Sequence, residues 1–202
     1  PEQGGLFQGQ ACDAGGCPGG GAVAGRRELI SQIRGESAIH HGGVMSPFNA
    51  WLVARGLSLL PMRMKGHQSG AQAISEWLDV QPQVTRVIYP GLASHPQYDL
   101  AQDQMSNTSG MISFQVGDAA TGRKIAQQMI DRLKIVHYAV SLGHHRSLIF
   151  WMETQGLMDT SFHLSGVQLE SYRSYAGDGV FRMSVGLEDP EDLIRDLSVA
   201  LS

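Results

Sequence analysis

The sequence has few cysteines and no long apolar run. Its two cysteines, Cys12 and Cys17, lie in one Gly-rich stretch of the 202-residue chain. They are too few for a disulfide framework, and a C-x4-C pair alone does not make a zinc site. No apolar run approaches membrane-spanning length, and the chain does not open with the basic start and apolar core of a secretory signal. We therefore expect a cytoplasmic protein with no membrane partner.

Charged residues are also scarce, at 17% of the sequence, and the net charge at pH 7 is -4. This acidic balance does not favour nucleic acid or an anionic membrane surface as a partner. Hydrophobic residues make up 42% of the chain, which is within the globular range. A chain of this length is sufficient for one sizeable domain or one and a half small ones.

The first third of the chain predicts a loop followed by helices. The opening 25 residues are Gly-rich and predict a loop that ends in a short strand at 22–24. Ser46 is a good N-cap and Pro47 suits a first helical position, so one helix begins there. The predicted helices cover 26–34, 47–60 and about 61–79, with Trp51 and Trp77 at spacings typical of core packing.

Strand and helix patterns alternate from about residue 82 onward. We expect about four strands to form one sheet with covering helices, which is an α/β layer. The strand patterns cover 84–89, 110–116, 135–142, 147–151 and 180–185, and the helical patterns cover 98–105, 121–133, 165–176 and 190–201.

Arg182 lies in the middle of a strand pattern that is otherwise apolar. Phe181 and Met183 flank it, and arginine is rarely buried without a partner. Arg182 either faces outward or forms an internal salt bridge, or its partner arrives with a ligand. An arginine fork matches a carboxylate in a bidentate manner, so the strand pattern leaves a substrate-carboxylate site open as an interpretation.

Five motifs in order resemble one known family. The chain resembles the C-terminal half of the Cys/Met-metabolism enzymes that use pyridoxal phosphate, which include cystathionine γ-synthase, cystathionine β- and γ-lyases, methionine γ-lyase and the O-acylhomoserine sulfhydrylases. The resemblance covers about residues 22–202. The motifs are "MSPFNAWLVARGLSLLPMRM", "VIYPGLASHPQYDLAQDQM", "SGMISFQV", "YAVSLG" and "DGVFRMSVGLEDPEDLI".

The resemblance implies a type I, aminotransferase-like fold, in which a large domain holds the cofactor and a small C-terminal domain closes over the substrate. For this chain it implies a small, mainly antiparallel sheet with covering helices, preceded by connecting helices. Residues 1–65 would be a remnant of the large cofactor domain with the connecting helix, and residues 66–202 the substrate-closing domain. It also implies a homo-oligomer, or a separate N-terminal large-domain chain as partner.

The resemblance further implies three substrate-binding residues. The Arg of the family's R-x-S-V-G strand binds the substrate α-carboxylate, and it matches Arg182. The Ser of V-S-L-G, near the substrate carboxylate and the cofactor, matches Ser141, and Val140 lies where the family varies its substrate pocket. We expect Ser141 and Arg182 on strands of one sheet, where a planar fork and a hydroxyl hold a carboxylate.

The cofactor implied by the resemblance is pyridoxal 5'-phosphate, which needs a lysine for its Schiff base and an acidic partner for its pyridine nitrogen. In the family that lysine precedes a Gly-rich stretch. Lys65, Lys124 and Lys134 are the lysines of this chain, and they fall on or beside predicted helices, where we expect exposed surface residues. We therefore assign no catalytic residue in this chain and leave the cofactor-binding residues unassigned.

Three functions remain open, of which the third, a metal-dependent activity built on the histidine pairs, is weighed after the first two. The resemblance implies a transsulfuration-type lyase or transferase that acts on sulfur amino acids by elimination or replacement at the β or γ carbon. The alternative is a non-catalytic C-terminal fragment or pseudoenzyme domain, which binds no cofactor and self-associates through exposed apolar surface.

Two histidine pairs, His40–His41 and His144–His145, call for an evaluation as metal ligands. Adjacent residues of a strand point to opposite faces, so neither pair is expected to chelate one ion, and no HExxH spacing is present. We predict no metal site, and we expect His144 or His145 close to the substrate entrance because the pair adjoins Ser141. The acidic run at 188–192 predicts a solvated helix start.

Overall fold

The computed structural model describes residues 6–7 and 22–202, and side chains from residue 23 onward. The chain divides into two compact units, and the boundary along the sequence falls between Pro61 and Met62. The assignment of residues 1–65 to a cofactor-domain remnant and 66–202 to a substrate-closing domain stays a prediction. Cys12 and Cys17 lie outside the described residues.

The first unit contains a two-stranded ribbon and helices. Strand β1 (Leu6–Phe7) pairs antiparallel with β2 (Ala22–Val23). Helix α1 (Arg27–Arg34) continues into a π-helical segment (Gly35–His40), and α2 (Pro47–Ser58) follows. The predicted N-cap of α2 is confirmed, because Asn49 N–H donates to Ser46 Oγ at 3.2 Å.

The expectation that Trp51 packs in a core is wrong. Its side chain is 54% exposed, and no residue of α1 or α2 is buried. The indole instead lies 6.2 Å from the ring of Phe48 and 5.3 Å from the guanidinium carbon of Arg55. Helical spacing correctly placed these side chains near one another, but none of the described residues of this unit with a placed side chain is buried, so they do not form a core that Trp51 could join. Trp77 is partly buried against the core of the second unit.

The second unit is an α/β layer, as the sequence predicted, and its sheet has five strands, one at each of the five strand patterns, where about four were expected. The strand order is β3-β4-β7-β6-β5, and every pairing is antiparallel except the parallel pair β5–β6. Within the described residues no helix has the length and apolar character that crossing a bilayer would require. The elements are α3 (Leu60–Asp79), β3 (Arg86–Ile88), α4 (Tyr98–Gln104), β4 (Met111–Gln115), α5 (Ala119–Arg132), β5 (His137–Tyr138), β6 (Leu148–Glu153), α6 (Thr154–Met158), α7 (Gly166–Ala176), β7 (Gly179–Ser184) and α8 (Pro190–Leu201).

The core lies on one face of this sheet. Alternate residues of β7 point there, and Phe181 and Met183 are fully buried. Cross-strand partners on the same face come from β4 and β6, and the rings of Phe114 and Phe181 stack at 5.2 Å between centroids. Burying one such side chain contributes about 1.5–3 kcal/mol. Helices α3, α5 and α8 cover this face with Ile74, Leu78, Ile125, Met129, Leu193 and Leu197.

Trp151 of β6 fits between two glycines. A Cβ atom at Gly122 of α5 or at Gly179 of β7 would overlap the indole. The ring also packs on Phe181, with centroids 4.9 Å apart. The absence of side chains at both glycines therefore sets how closely α5 approaches the sheet.

A buried carboxylate fixes the start of β5. The Asp196 side chain on α8 accepts three backbone hydrogen bonds of 2.9 Å each, from the N–H groups of Lys134, Ile135 and Val136. These donors would otherwise be without partners in a loop that enters the sheet edge. Asp196 thereby ties the connection between α5 and β5 to the last helix.

Candidate substrate-carboxylate site

Arg182 lies on β7, the central strand of the sheet, and faces away from the core. Its neighbours along the strand, Phe181 and Met183, point into the core, so Arg182 shares the opposite face with Ser184. Directly across the ladder it is paired with Ser113 on β4 and with Phe150 on β6. A strand hydrogen-bonded on both sides therefore sets the direction of the side chain.

Among the described residues, the guanidinium of Arg182 has no hydrogen-bond acceptor and no ion-pair partner; the ion pairs found there are Arg123–Glu153 and Arg195–Asp192. Its side chain is half-buried. A guanidinium carries five N–H donors in a fixed fork, and a half-buried one gains from an anionic partner. The guanidinium of Arg182 therefore has donors that no described residue uses, and a carboxylate is an anion whose geometry matches them.

Ser141 does not lie on a strand, and this part of the prediction is wrong. The pattern at 135–142 predicted one long strand, but β5 ends at Tyr138. Because β5 runs parallel to β6, the chain must leave the sheet edge after β5 and travel back before β6 begins. Ser141 and Val140 therefore belong to the connecting loop of residues 139–147, which we call the substrate loop.

The substrate loop nevertheless reaches the strand of Arg182. The backbone N–H of Gly143 donates to Ser184 Oγ at 3.0 Å, and Ser184 is two residues from Arg182 on the same face of β7. Arg63 of α3 donates to the carbonyl of Gly143 at 3.1 Å. In the loop, Ser141 is half-buried and Val140 is 64% exposed.

Farther along, the substrate loop is bonded to the residues that follow β7. Leu187 N–H donates to the carbonyl of His145 at 2.8 Å. The Glu188 carboxylate accepts from the backbone N–H of Ser147 at 2.7 Å and from its hydroxyl at 2.9 Å. Ser147 Oγ in turn accepts from the N–H of Gly186 at 2.8 Å.

The sequence did not indicate these roles for Glu188 and Ser147. Glu188 was predicted to be part of a solvated acidic helix start, which is wrong for this residue because its carboxylate binds Ser147. Asp189 does have that role, since it caps α8 by accepting from Glu191 N–H at 2.8 Å. Glu188 follows Arg182 by six residues. Nothing in the local sequence indicates that its side chain contacts the substrate loop.

His144 and His145 lie in the substrate loop rather than on a strand, so the argument that they point to opposite faces is wrong. Their ring centroids are 4.1 Å apart, and Nδ1 of His145 is buried without a hydrogen-bond partner. Burial lowers the pKa of His144, with smaller contributions in the same direction from His145, Arg146 and Arg63, while Glu188 opposes them. Their nearness to a substrate entrance stays a prediction.

The described residues contain no group of three or more histidine, cysteine, aspartate or glutamate side chains that could hold a metal ion. Of the other histidine pair, His41 makes a 2.9 Å contact between its Nδ1 and the carbonyl of Glu36.

Among the described residues, the lysines are the candidates for the Schiff base of pyridoxal phosphate. Schiff-base chemistry needs a lysine amine and, for the ring nitrogen, an acid. Lys65, Lys124 and Lys134 are all exposed, as predicted, and among the described ion pairs none involves a lysine. No described residue is therefore assigned to the cofactor, and the binding of a substrate carboxylate by Arg182 stays a prediction.

Comparison with known proteins decides the family. The family model "Cys/Met metabolism PLP-dependent enzyme" matches residues 19–202. The chain belongs to this family. Both the resemblance inferred from the five motifs and the type I fold class are thus confirmed, and the family's cofactor is pyridoxal phosphate.

The relatives include a canavanine γ-lyase from Pseudomonas canavaninivorans, 40% identical over 185 residues that make up 90% of this chain and 43% of that protein. An O-succinylhomoserine sulfhydrylase from Pseudomonas aeruginosa is 38% identical over 183 residues, 91% of this chain and 43% of the relative. The chain thus spans less than half the length of these family members.

Solved structures support the same family. Cystathionine γ-synthase from Xanthomonas oryzae pv. oryzae, in complex with cystathionine, superimposes with a TM-score of 0.72 at 34% identity. The match covers 89% of this chain and 44% of that structure. The same enzyme in complex with aminoacrylate and cysteine gives a TM-score of 0.71.

Proposed function

We propose that this chain supplies the substrate-binding C-terminal part of a pyridoxal-phosphate-dependent lyase or transferase that acts on sulfur amino acids. The observation that carries the proposal is Arg182, a half-buried arginine on the central strand that has no acidic partner among the described residues. A family member whose substrates are amino acids needs a group for the α-carboxylate, and a guanidinium fork has the matching geometry.

The proposed division of roles rests on the family resemblance, and it is supported by the position of Arg182 on β7 and of Ser141 and Val140 in the substrate loop. Arg182 holds the α-carboxylate through paired N–H donors, and Ser141 adds a hydroxyl from the substrate loop. Val140, exposed beside Ser141, borders the space for the substrate side chain, so it influences which amino acid is accepted. Pyridoxal phosphate, when bound, supplies the electron sink for bond cleavage at the β or γ carbon.

The proposal places the cofactor-binding residues outside this chain. The Schiff-base lysine would belong to an N-terminal portion that this chain does not span, present either in the same polypeptide or in a separate chain. We also propose that the active assembly is a homo-oligomer.

Substitution of Arg182 tests the proposed function. In the full-length protein loaded with pyridoxal phosphate, Arg182→Gln should raise KM for an amino-acid substrate at least about thirtyfold, because truncating one partner of a desolvated charge pair costs 2–5 kcal/mol. Arg182→Lys should restore part of the loss, since it keeps the charge without the fork. The substrates to assay are methionine, canavanine, O-succinylhomoserine and cystathionine, with release of ammonia and replacement by added thiol measured separately.

Arg123→Gln is the matched control, because it removes the same charge from an exposed arginine whose partner is Glu153. The proposal is wrong if Arg182→Gln leaves KM for every substrate unchanged, or if Arg123→Gln raises KM as much.

A second candidate, a non-catalytic domain that self-associates, is favoured by one observation in the first unit. Helix α2 carries Phe48, 66% exposed, and nearby Ile39 and Val44 are 76% and 73% exposed. Sedimentation of the isolated chain tests this candidate. A concentration-dependent oligomer that dissociates in a Phe48→Ser variant, and that binds no amino acid with or without added cofactor, would favour it over the enzyme.

A further inference from the structure

The substrate loop lacks regular secondary structure, so contacts outside the loop must set its conformation. The loop carries Val140 and Ser141, and the ladder of β5 ends before both of them. Of its hydrogen bonds to other parts of the second unit, most go to residues 184–188, the segment that begins at the last residue of β7. The strand that presents Arg182 and the loop that presents Ser141 are therefore held by the same short segment.

Glu188 makes the charged contacts in this connection. Both oxygens of its carboxylate are used, and both accept from a single residue, Ser147. Ser147 is fully buried. Hydrogen bonds to a charged acceptor are stronger and shorter than neutral ones, so this pair fixes the C-terminal end of the loop more firmly than the Gly143–Ser184 bond fixes its middle.

Gly186 leaves the space that the contact needs. A Cβ atom there would overlap Glu188 Oε2, the carbonyl of His145 and the backbone of Arg146. Its N–H also donates to the hydroxyl of Ser147. The chain after β7 thus approaches the loop closely at Gly186, and hydrogen bonds of Gly186 and Glu188 to Ser147 join the two segments.

We propose that Glu188, through Ser147, is a positioning residue that holds the substrate loop against the strand of Arg182, so that Ser141 and Arg182 address the same carboxylate. This inference rests on the proposed function of those two residues. Glu188 does not contact the substrate itself. Its removal lets the loop move away from β7, which weakens amino-acid binding more than it slows the chemical step.

Two variants break the contact in different ways. Glu188→Gln keeps the size of the side chain but turns one acceptor into a donor that faces the Ser147 donors. Ser147→Ala removes the hydroxyl and leaves the N–H of Gly186 without its acceptor. If either variant folds poorly, the other still tests the contact.

Each variant has a matched control. Glu191→Gln removes the same charge from an exposed acid three residues farther along, on α8. Thr154→Val removes a buried hydroxyl at the opposite end of β6, where it donates to the carbonyl of Gly177 at 2.8 Å. Ser147 precedes β6 and Thr154 follows it, so the two substitutions disturb the same strand at opposite ends.

The first measurement is hydrogen–deuterium exchange of the full-length protein, followed in peptides that cover residues 139–147. Glu188→Gln and Ser147→Ala should accelerate exchange in this loop about tenfold or more, which corresponds to about 1.4 kcal/mol. Thr154→Val and Glu191→Gln should leave the loop unchanged. Equal acceleration in all four variants would overturn the inference, because it would show general destabilisation.

The second measurement separates KM from kcat for the best amino-acid substrate of the loaded enzyme. Glu188→Gln and Ser147→Ala should raise KM about tenfold while kcat changes less than about threefold. The inference is overturned if hydrogen exchange in the loop accelerates while KM stays unchanged. If KM is also unchanged in Arg182→Gln, the proposed function fails as well; if Arg182→Gln raises KM and Glu188→Gln does not, only the positioning role fails.

Discussion

The backbone N–H of Gly143 lies 3.0 Å from the hydroxyl oxygen of Ser184 and donates to it. This bond joins an irregular loop to the central strand of the sheet, two residues from Arg182. Ser184 is 3% exposed, so water does not replace a lost bond easily. The position of Ser141 relative to Arg182 therefore depends on a serine that the sequence presents only as part of a strand.

Replacing that serine tests its contribution. Ser184→Ala leaves the Gly143 N–H without its acceptor, so the free energy of unfolding should fall by about 1–2 kcal/mol. Chemical denaturation measures the change. Ser198→Ala is the control, because the Ser198 hydroxyl is exposed and donates within its own helix to the carbonyl of Arg195. If Ser198→Ala lowers the free energy of unfolding as much as Ser184→Ala does, the role assigned to the Ser184 hydroxyl is contradicted.

Asp196 should be among the most sensitive polar positions of the second unit. Asp196→Ala removes the acceptor of three backbone N–H groups, and we expect a loss of about 3 kcal/mol in unfolding free energy. Asp196→Asn keeps one acceptor oxygen and should lose less. The comparison with Asp131→Asn, which alters an exposed carboxylate bonded to Gln127, controls for the change in net charge.

Most helices and strands were predictable because the signals for them are local, whereas the type I fold class came from the family resemblance. The helix at α2 follows from Ser46 and Pro47, and the strand at β7 follows from alternating apolar residues between glycines. Strand β5 ends early and illustrates the limit. The pattern at 135–142 is apolar enough for a strand, but the point at which the chain leaves the sheet depends on its contacts with β6 and β7, which the segment itself does not show.

The candidate site was predictable in part for the same reason. Arg182 is conspicuous because it interrupts an apolar strand. Glu188 and Ser147 are not, because their roles arise from a contact between segments about forty residues apart in the chain, and a glutamate before a helix ordinarily faces solvent. Their pairing follows only from the three-dimensional arrangement.

The fit of Trp151 between two glycines gives a steric prediction. Gly122→Ala places a methyl group in the space of the indole, so the free energy of unfolding should fall by about 1–3 kcal/mol, the usual cost of overpacking. Gly156→Ala is the control, since α6 leaves room there and the nearest atom to a new Cβ is 4.0 Å away. Thermal and chemical unfolding of both variants measure the difference. An equal or greater loss in Gly156→Ala would show that a glycine's backbone freedom matters more than the indole contact.

His144 should make stability depend on pH. Burial, His145, Arg146 and Arg63 lower its pKa below the ordinary 6.5, and Glu188 opposes them. The folded state therefore binds a proton less readily than the unfolded state, and this residue's contribution to stability is lost as pH falls below about 6.5. Unfolding free energies at pH 7.5 and 5.5 should differ less in His144→Asn than in the wild-type protein. A larger difference in the variant would contradict the predicted direction in which His144 changes stability with pH.

The place of β7 between two neighbouring strands has a consequence for affinity. Fraying of a sheet starts at its margins, here β3 and β5, so the peptide units around Arg182 are the last to lose order. A guanidinium on such a frame gives up little backbone freedom when it binds an anion, and the association is correspondingly less opposed by entropy. Most of the conformational freedom that the protein loses on binding would then be lost by the residues around the substrate's side chain.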